Sequence, residues 1–331
     1  MTTPVNYADI GFVIIGRNEG QRLVACLNAL KDYLPQAVYV DSGSTDDSVK
    51  NAQLAGFHVC ALDMSISFTA ARARNSGFHQ LIQHYSHLKY VHFLDGDCIL
   101  EADWVKQALS FMQNNAEIAV VCGRRREINP QQSIYNTMCD MEWNTPIGLS
   151  KACGGDALFS VSAFQAANGY RDSLIAGEEP ELCIRIRQLG FKVWRLDALM
   201  TKHDAAIFKF AQWWKRSKRT GYAYAEGAYL HGLPPENHWV KERNRGLIWA
   251  LAIPLLCVTA IYYKPIFALL LCIYPLQIII NAFKLKHLGK FAIIQSVFFM
   301  LGKFAETTGQ LKYYYNRMLH KNSQLIEYKS N

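Results

Sequence analysis

The chain has 331 residues, half of them apolar and 19% charged, which excludes an extensively disordered polypeptide and exceeds the length of one average domain. A net charge of +8 suits an anionic substrate, an anionic membrane surface or nucleic acid, and alone selects none of them. Nine cysteines form no CxxC pair and no zinc-spaced Cys/His cluster, which predicts buried, reduced thiols in a cytosolic domain.

In chain order, residues 12–15 form a short apolar strand, with no basic region before it of the kind a secretory signal needs. Residues 21–33 place Leu23, Cys26, Leu27 and Leu30 on one helical face. Residues 38–40 are strand-like, and 46–55 are helical before Gly56. Residues 58–62, 90–94 and 118–121 read as further strands, and 102–114 carries Val105, Leu109 and Met112 on one helical stripe. This alternation predicts an α/β domain, a mostly parallel sheet flanked by helices. Ligands of such sheets sit beyond the carboxyl ends of the strands, so the polar residues there are the ones to read for function.

From residue 246 the composition changes. Residues 246–263 and 266–283 carry no charge, and only Lys264 and Pro265 separate them. Each run would be about 27 Å long as a helix, close to the hydrocarbon thickness of a bilayer. They predict a membrane-inserted hairpin, with a possible short third segment at 291–302. Lys241, Arg243 and Arg245 precede the first run, and Lys284, Lys286 and Lys290 follow the second. Basic flanks at both ends place both ends, and the catalytic domain, on the cytoplasmic side of the cytoplasmic membrane. The expected domains are residues 1–235 and 236–331. Near the end of the first, 208–229 mixes Trp213, Trp214, Tyr222 and Tyr224 with Lys215, Arg216, Lys218 and Arg219. That mixture suits a helix on a membrane surface; nucleic-acid binding shares the composition, but the adjacent apolar hairpin favours the membrane.

Three polar segments follow strands or open helices. In FLDGDCIL, Asp95 and Asp97 flank one glycine after an apolar strand. Two carboxylates there repel unless a cation compensates them, and a divalent ion that also binds a diphosphate would do so; Asp-Gly-Asp is also common in plain surface turns. In DSGSTDDS, Asp41 ends a strand, where it can accept hydrogen bonds from a base or ribose or simply close a capped loop. In GEEPELCIRIRQLGF, Pro180 suits the first position of a helix, which puts Glu179 at its start. A carboxylate fixed there can serve as a general base or merely dress the helix N-terminus. Arg124–126 reads as a solvated loop.

Together these segments resemble glycosyltransferase family 2, the inverting enzymes of GT-A fold, over roughly residues 9–205. VIIGRNEG resembles the family's first strand and turn, with Asn18 and Glu19 at the donor site. DSGSTDDS resembles its nucleotide-binding segment, which implies Asp41 and Ser42 for the base or ribose. ARARNSGF resembles a segment that puts Arg74 and Asn75 near the nucleotide diphosphate. FLDGD resembles the metal motif, which implies Asp97 as the ligand of Mg or Mn and Asp95 nearer the ribose and donor sugar. GGDALFSVSAF, with Gly155 and Asp156, resembles the segment lining the sugars. GEEPEL resembles the acidic element whose second member is the base, here Glu179, where the family usually has Asp; Glu178 and Glu181 compete with it. QWWKR matches the motif of processive synthases only loosely, so no polymerase is inferred. His203 stands where some GT-A enzymes complete the metal shell; the alternative is a loop histidine bonded to Asp204. The expected function is inverting, metal-assisted sugar transfer from a nucleotide-sugar to a lipid-linked or saccharide acceptor, with no nucleic-acid partner. Two other classes are a sugar nucleotidyltransferase, which would release pyrophosphate, and a non-catalytic membrane partner.

Overall fold

A computed structural model describes residues 6–321 and 324–328. The chain divides into two compact units, Met1–Phe208 and Lys209–Asn331. The helix spanning Phe210–His231 packs among the C-terminal helices and so belongs to the second unit.

The first unit runs β1 (Ile10–Gly16), α1 (Gln21–Asn28), β2 (Ala37–Asp41), α2 (Ser48–Leu54), β3 (His58–Ala61), α3 (Ala70–His84) and β4 (Tyr90–Asp95). It continues with β5 (Cys98–Leu100), α4 (Trp104–Asn114), β6 (Ile118–Glu127), α5 (Ile134–Glu142), β7 (Gly148–Ser150), β8 (Ala157–Ser160), α6 (Val161–Ala166), α7 (Glu178–Gln188) and β9 (Lys192–His203). The strands form one sheet in the order β3-β2-β1-β4-β8-β6-β9-β5, with β7 also on β9. β1 to β4 are mutually parallel, whereas β8 is antiparallel to both of its neighbours. β1 and β2 are apolar and buried along nearly their whole length, as strands covered on both faces must be.

Two close approaches place the chemistry. A Cβ on Gly77 would fall 2.5 Å from Val13 Cγ1 and 2.7 Å from Val40 Cγ2, so the glycine lets α3 lie directly on β1 and β2. That seats Arg74, one turn earlier, over the sheet. The register pairs Gly16 with Asp41 and Ile15 with Asp95, which aligns the carboxyl ends of β1, β2 and β4.

The second unit holds α8 (Phe210–His231), α9 (Val240–Leu247), α10 (Ile253–Tyr263), α11 (Ile273–Lys284) and α12 (Phe291–Met318). α9 and α10 join through a π-type turn into a helical stretch from Val240 to Tyr263, and 3-10 turns lead from Pro265 into α11. Both stretches, of 24 and 20 residues, are long and apolar enough to cross a membrane. Only 11% and 0% of their apolar windows are buried, so the described residues leave them uncovered.

The apolar stretch expected as a short third segment is instead the start of α12, 28 residues long. α12 buries Ser296, Thr307 and Gln310 rather than an all-apolar face. α8 and α12 touch backbone to backbone: a Cβ on Gly221 would lie 1.9 Å from Glu306 O, and one on Gly309 1.9 Å from Lys218 O. α8 also spends aromatic surface on α12, with Trp213 4.9 Å from Phe298 and Tyr222 5.3 Å from Tyr313 between ring centroids. Those two rings pack inside the unit rather than lying on a surface.

Candidate active site

The first wall of the site is the turn after β2. Asp41 is buried; its Oδ2 accepts from the backbone N–H groups of Gly43 (3.0 Å) and Ser44 (2.9 Å), and its Oδ1 from the Tyr39 hydroxyl (3.1 Å). Gly43 holds a positive φ of 80°, which the tight turn requires. Asn18 stands at φ 55°, a conformation asparagine tolerates, and ties the β1 turn to this one. Its N–H donates to Ser44 Oγ (2.9 Å), and its Oδ1 accepts from Thr45 N–H (2.7 Å). Ser42 N–H donates to Gly16 O, and Glu19 N–H to Ser48 Oγ. Asn18, Glu19, Asp41 and Ser42 thus form one continuous rim.

The second part is a charged cluster at the end of β4. Arg74 is 2% exposed, and its guanidinium meets Asp95 Oδ1 (2.8 Å), Glu178 Oε1 (2.9 Å) and Glu179 Oε1 (3.0 Å). Burying an arginine costs several kcal/mol unless it is paired, and these carboxylates pair it. Arg125, from β6, binds Asp156 through Nη2 (2.8 Å) and Nε (3.0 Å) and lies 3.5 Å from Asp95 Oδ2. Asp156 is fully buried; it also accepts from Thr201 Oγ1 (2.7 Å) and from the Asp95 N–H (3.3 Å). It therefore positions Asp95 from within the protein. The cluster fits around Gly155, where a Cβ would lie 2.8 Å from Arg74 Nη2 and 2.9 Å from Asp95 Oδ2. Asn75 holds the far side: its Nδ2 donates to Tyr170 O (2.7 Å) and its Oδ1 accepts from Tyr170 N–H (2.9 Å). That fixes the Tyr170 ring 5.5 Å from the Arg74 guanidinium carbon. The Asn75 amide is engaged by the protein itself.

α7 sorts its three acidic residues. It starts at Glu178, two residues before Pro180, with Gly177 at φ 80° as its N-cap. Glu181 is bound by Arg185, at 2.6 Å from Nη2, and by Arg171 (3.3 Å), so it serves the helix. Glu178 is buried against Arg74. Glu179 keeps some exposure, and burial, followed by the charge of Glu178, raises its pKa to about 7 against the pull of Arg74. Cys183, one turn on, packs its thiol 3.6 Å from that of Cys153, joining α7 to the segment before Gly155. All nine cysteines are free thiols, and seven are buried.

The third part is Asp97 with His203. His203 ends β9, so it lies on a strand rather than in a loop, and its Nε2 is 3.3 Å from Asp97 Oδ2. Its ring packs edge-on against Trp143, with centroids 4.7 Å apart. His203 Nδ1 is buried without a hydrogen-bond partner. Donor atoms of Asp97, Cys98 and His203 lie within 4.8 Å of one another. Across the whole site, Asp95, Asp97, Asp156, Glu178 and Glu179 supply five carboxylates against the two guanidiniums of Arg74 and Arg125. This excess of negative charge, with an oxygen ligand beside an imidazole, fits a divalent ion such as Mn2+.

Thr201 and Trp143 carry no local signal in the sequence, whereas Tyr170 follows the GGDALFSVSAF segment that resembles the family's sugar-lining element. Arg124–126, expected as a solvated loop, belongs to β6; strand alternation alone would have turned Arg125 to the opposite face from its two neighbours.

Comparison with known proteins bears on the fold. The glycosyl transferase family 2 model matches residues 12–164. A glucomannan 4-beta-mannosyltransferase 2 from Arabidopsis thaliana is 23% identical over 141 residues, 38% of this chain and 26% of that protein. A probable glucomannan 4-beta-mannosyltransferase 15 from the same plant is 23% identical over 171 residues, 45% of this chain and 32% of that protein. The chain thus spans a quarter to a third of these relatives' length. Among solved structures, a mannosyltransferase from Pyrobaculum calidifontis in complex with GDP-Man and Mn2+ superposes with a TM-score of 0.62 at 16% identity. That match covers 92% of this chain and 87% of the other.

Proposed function

We propose that the protein, whose residues 12–164 match the glycosyl transferase family 2 model on a GT-A-type fold, transfers a sugar from a nucleotide-sugar to an acceptor hydroxyl with inversion. The observation that carries the reading is Glu179, with a pKa near 7, sharing the buried Arg74 with Asp95, two residues from Asp97. GDP-mannose is the first donor to test, because the Pyrobaculum structure holds GDP-Man and both plant relatives are named mannosyltransferases.

Asp41 and the Asn18–Ser42 rim receive the nucleoside, with the Asp41 carboxylate offered to ribose or base. Arg74 holds Asp95 toward the donor sugar, and Asp156 with Arg125 fixes Asp95 from behind. Asp97 and His203 would hold the divalent ion, which when bound neutralises charge on the departing diphosphate. Glu179 takes the proton of the acceptor hydroxyl as that oxygen attacks the anomeric carbon from the face opposite the nucleotide. A carboxylate with pKa near 7 is half ionised at neutral pH and basic enough to assist.

The two apolar helical stretches would insert in a membrane and bring the domain to a lipid-linked or saccharide acceptor. Lys241, Arg243, Arg245, Lys284, Lys286 and Lys290 at their ends favour a cytoplasmic site. The test is incubation of the purified protein with GDP-mannose and Mn2+. GDP release that stops in excess chelator supports the reading. Pyrophosphate release, or no turnover of any nucleotide-sugar, refutes it.

A further inference from the structure

We propose that a pocket beside β6 and β9, built from residues outside the carboxylate cluster, binds a phosphate group. The pocket is about 480 Å³ and is lined by Arg124, Asn144, Thr145, Ile147, Arg195 and Asp197, among others.

Arg195 is the reason to assign it a ligand. It is 3% exposed, yet its Nε has no hydrogen-bond partner. Its Nη1 donates only to the carbonyl of the next residue, Leu196. No carboxylate pairs with it among the described residues. Its neighbour Arg124 is different: that guanidinium meets Asp140 Oδ2 at 2.9 Å and is already matched. Asp197 attracts this guanidinium but is exposed and makes no ion pair with it, so an oxyanion entering the pocket would supply a closer charge and the missing acceptor. Burial, chiefly, and the charge of Arg124 pull the Arg195 pKa down, against the opposing charge of Asp197, and an anion would reverse the shift.

The other walls suit a phosphate carried on a larger molecule. Asn144 and Thr145 bring a side-chain amide and a hydroxyl, both able to donate to phosphate oxygens. Ile147 is 58% exposed at the same pocket and offers an apolar wall for whatever bears the phosphate. Asp197 is exposed at the mouth and opposes a dianion weakly, which limits affinity and makes a convenient lever. The neighbouring Trp143 and Arg125 touch the cluster described above, at 4.7 Å from the His203 ring and 3.5 Å from Asp95, so the pocket shares two chain segments with that site without using its ligands.

The experiment is calorimetric titration of the detergent-solubilised full chain, in excess EDTA, with inorganic phosphate and with butyl phosphate. Both should bind the wild type in the millimolar range or tighter. Arg195→Gln should weaken both about ten-fold or more, the cost of losing charge-assisted hydrogen bonds. Arg195→Lys should recover part of that loss. Asp197→Asn, at an exposed position that should not disturb folding, should tighten binding about three-fold. Tighter binding of butyl phosphate assigns the pocket to a phosphorylated organic molecule; equal binding assigns it to free phosphate. Absence of phosphate binding to the wild type overturns the proposal. So does binding that neither Arg195→Gln nor Asp197→Asn changes, and if Arg195→Gln fails to fold, Asp197→Asn decides. A separate titration with GDP and Mn2+ reports the donor site, so failure here is distinguishable from failure of the transferase reading.

Discussion

The two units invert each other's solvent logic. In the first, apolar strands are hidden and charge gathers at their carboxyl ends, where every member of the cluster is paired. In the second, apolar side chains face outward and polar ones inward. Leu256, Tyr262 and Leu269 are 65%, 87% and 66% exposed, whereas Ser296 and Gln310 are fully buried. A water-soluble surface has no reason to display such a band while hiding amides and hydroxyls. On the proposed reading, the first unit holds charged ligands and the second meets a non-aqueous surrounding.

The largest expected effect falls on the first unit. Glu179→Gln preserves shape but cannot take the acceptor's proton, so turnover should drop by about 10²–10⁴ with donor affinity nearly unchanged. Stability should move the other way. Glu179 has its folded-state pKa raised from 4.5 to about 7, so its favourable contribution is complete below the unfolded value and disappears as pH rises through 7. Glu179→Gln should therefore melt higher than wild type at pH 8 and show no such gain at pH 4. A variant that loses turnover and also melts lower at pH 8 would indicate structural damage instead.

Asp97→Asn comes next. An amide is a poorer partner for a hard cation, and the loss in metal affinity should exceed the roughly 10–100-fold typical of losing an outer partner of a metal ligand. Mn2+ titration of activity measures it, and full activity in chelator would remove the metal from the account.

The contrast between the units sets the third expectation. The stretches Val240–Tyr263 and Pro265–Lys284 should retain the protein in membranes through high-salt and alkaline washes. Recovery of the intact chain in the soluble fraction without detergent would break the comparison. The smallest effect is on packing: Gly155→Ala forces a methyl group against Arg74 and Asp95 and should cost about 1–3 kcal/mol, read as a lowered Tm. An unchanged Tm would show that the cluster yields freely.

Legibility in the sequence followed the range of each interaction. Asp95, Asp97 and Glu179 stood out because a carboxylate after an apolar run, or before a proline, is a local signal. Arg125 did not, because its partner Asp156 lies 31 residues away, just before β8, the strand next to β6 in the sheet. Asn75 was noticed by motif, but its attachment to Tyr170 spans 95 residues. His203 reads as a loop residue because Asp197 and the polar Thr201–Lys202 interrupt the apolar strand pattern of β9, whereas β5 pairs along its end and makes it a strand. The alternating strands and helices of the first half were legible because both faces of that sheet are apolar. The long α12 was not, because an apolar start at 291–301 gives way to polar residues whose burial depends on α8.

The pH dependence of turnover at saturating GDP-mannose and Mn2+, measured for wild type and for Glu179→Gln, Glu178→Gln and Glu181→Gln, tests the central claim most directly. The account predicts a wild-type rate that falls about ten-fold per pH unit below 7, as the base takes up its proton. It predicts that Glu179→Gln loses both the rate and that acid limb. A Glu179→Gln enzyme that turns over near the wild-type rate with the acid limb intact, while Glu178→Gln or Glu181→Gln is inactive, would contradict it.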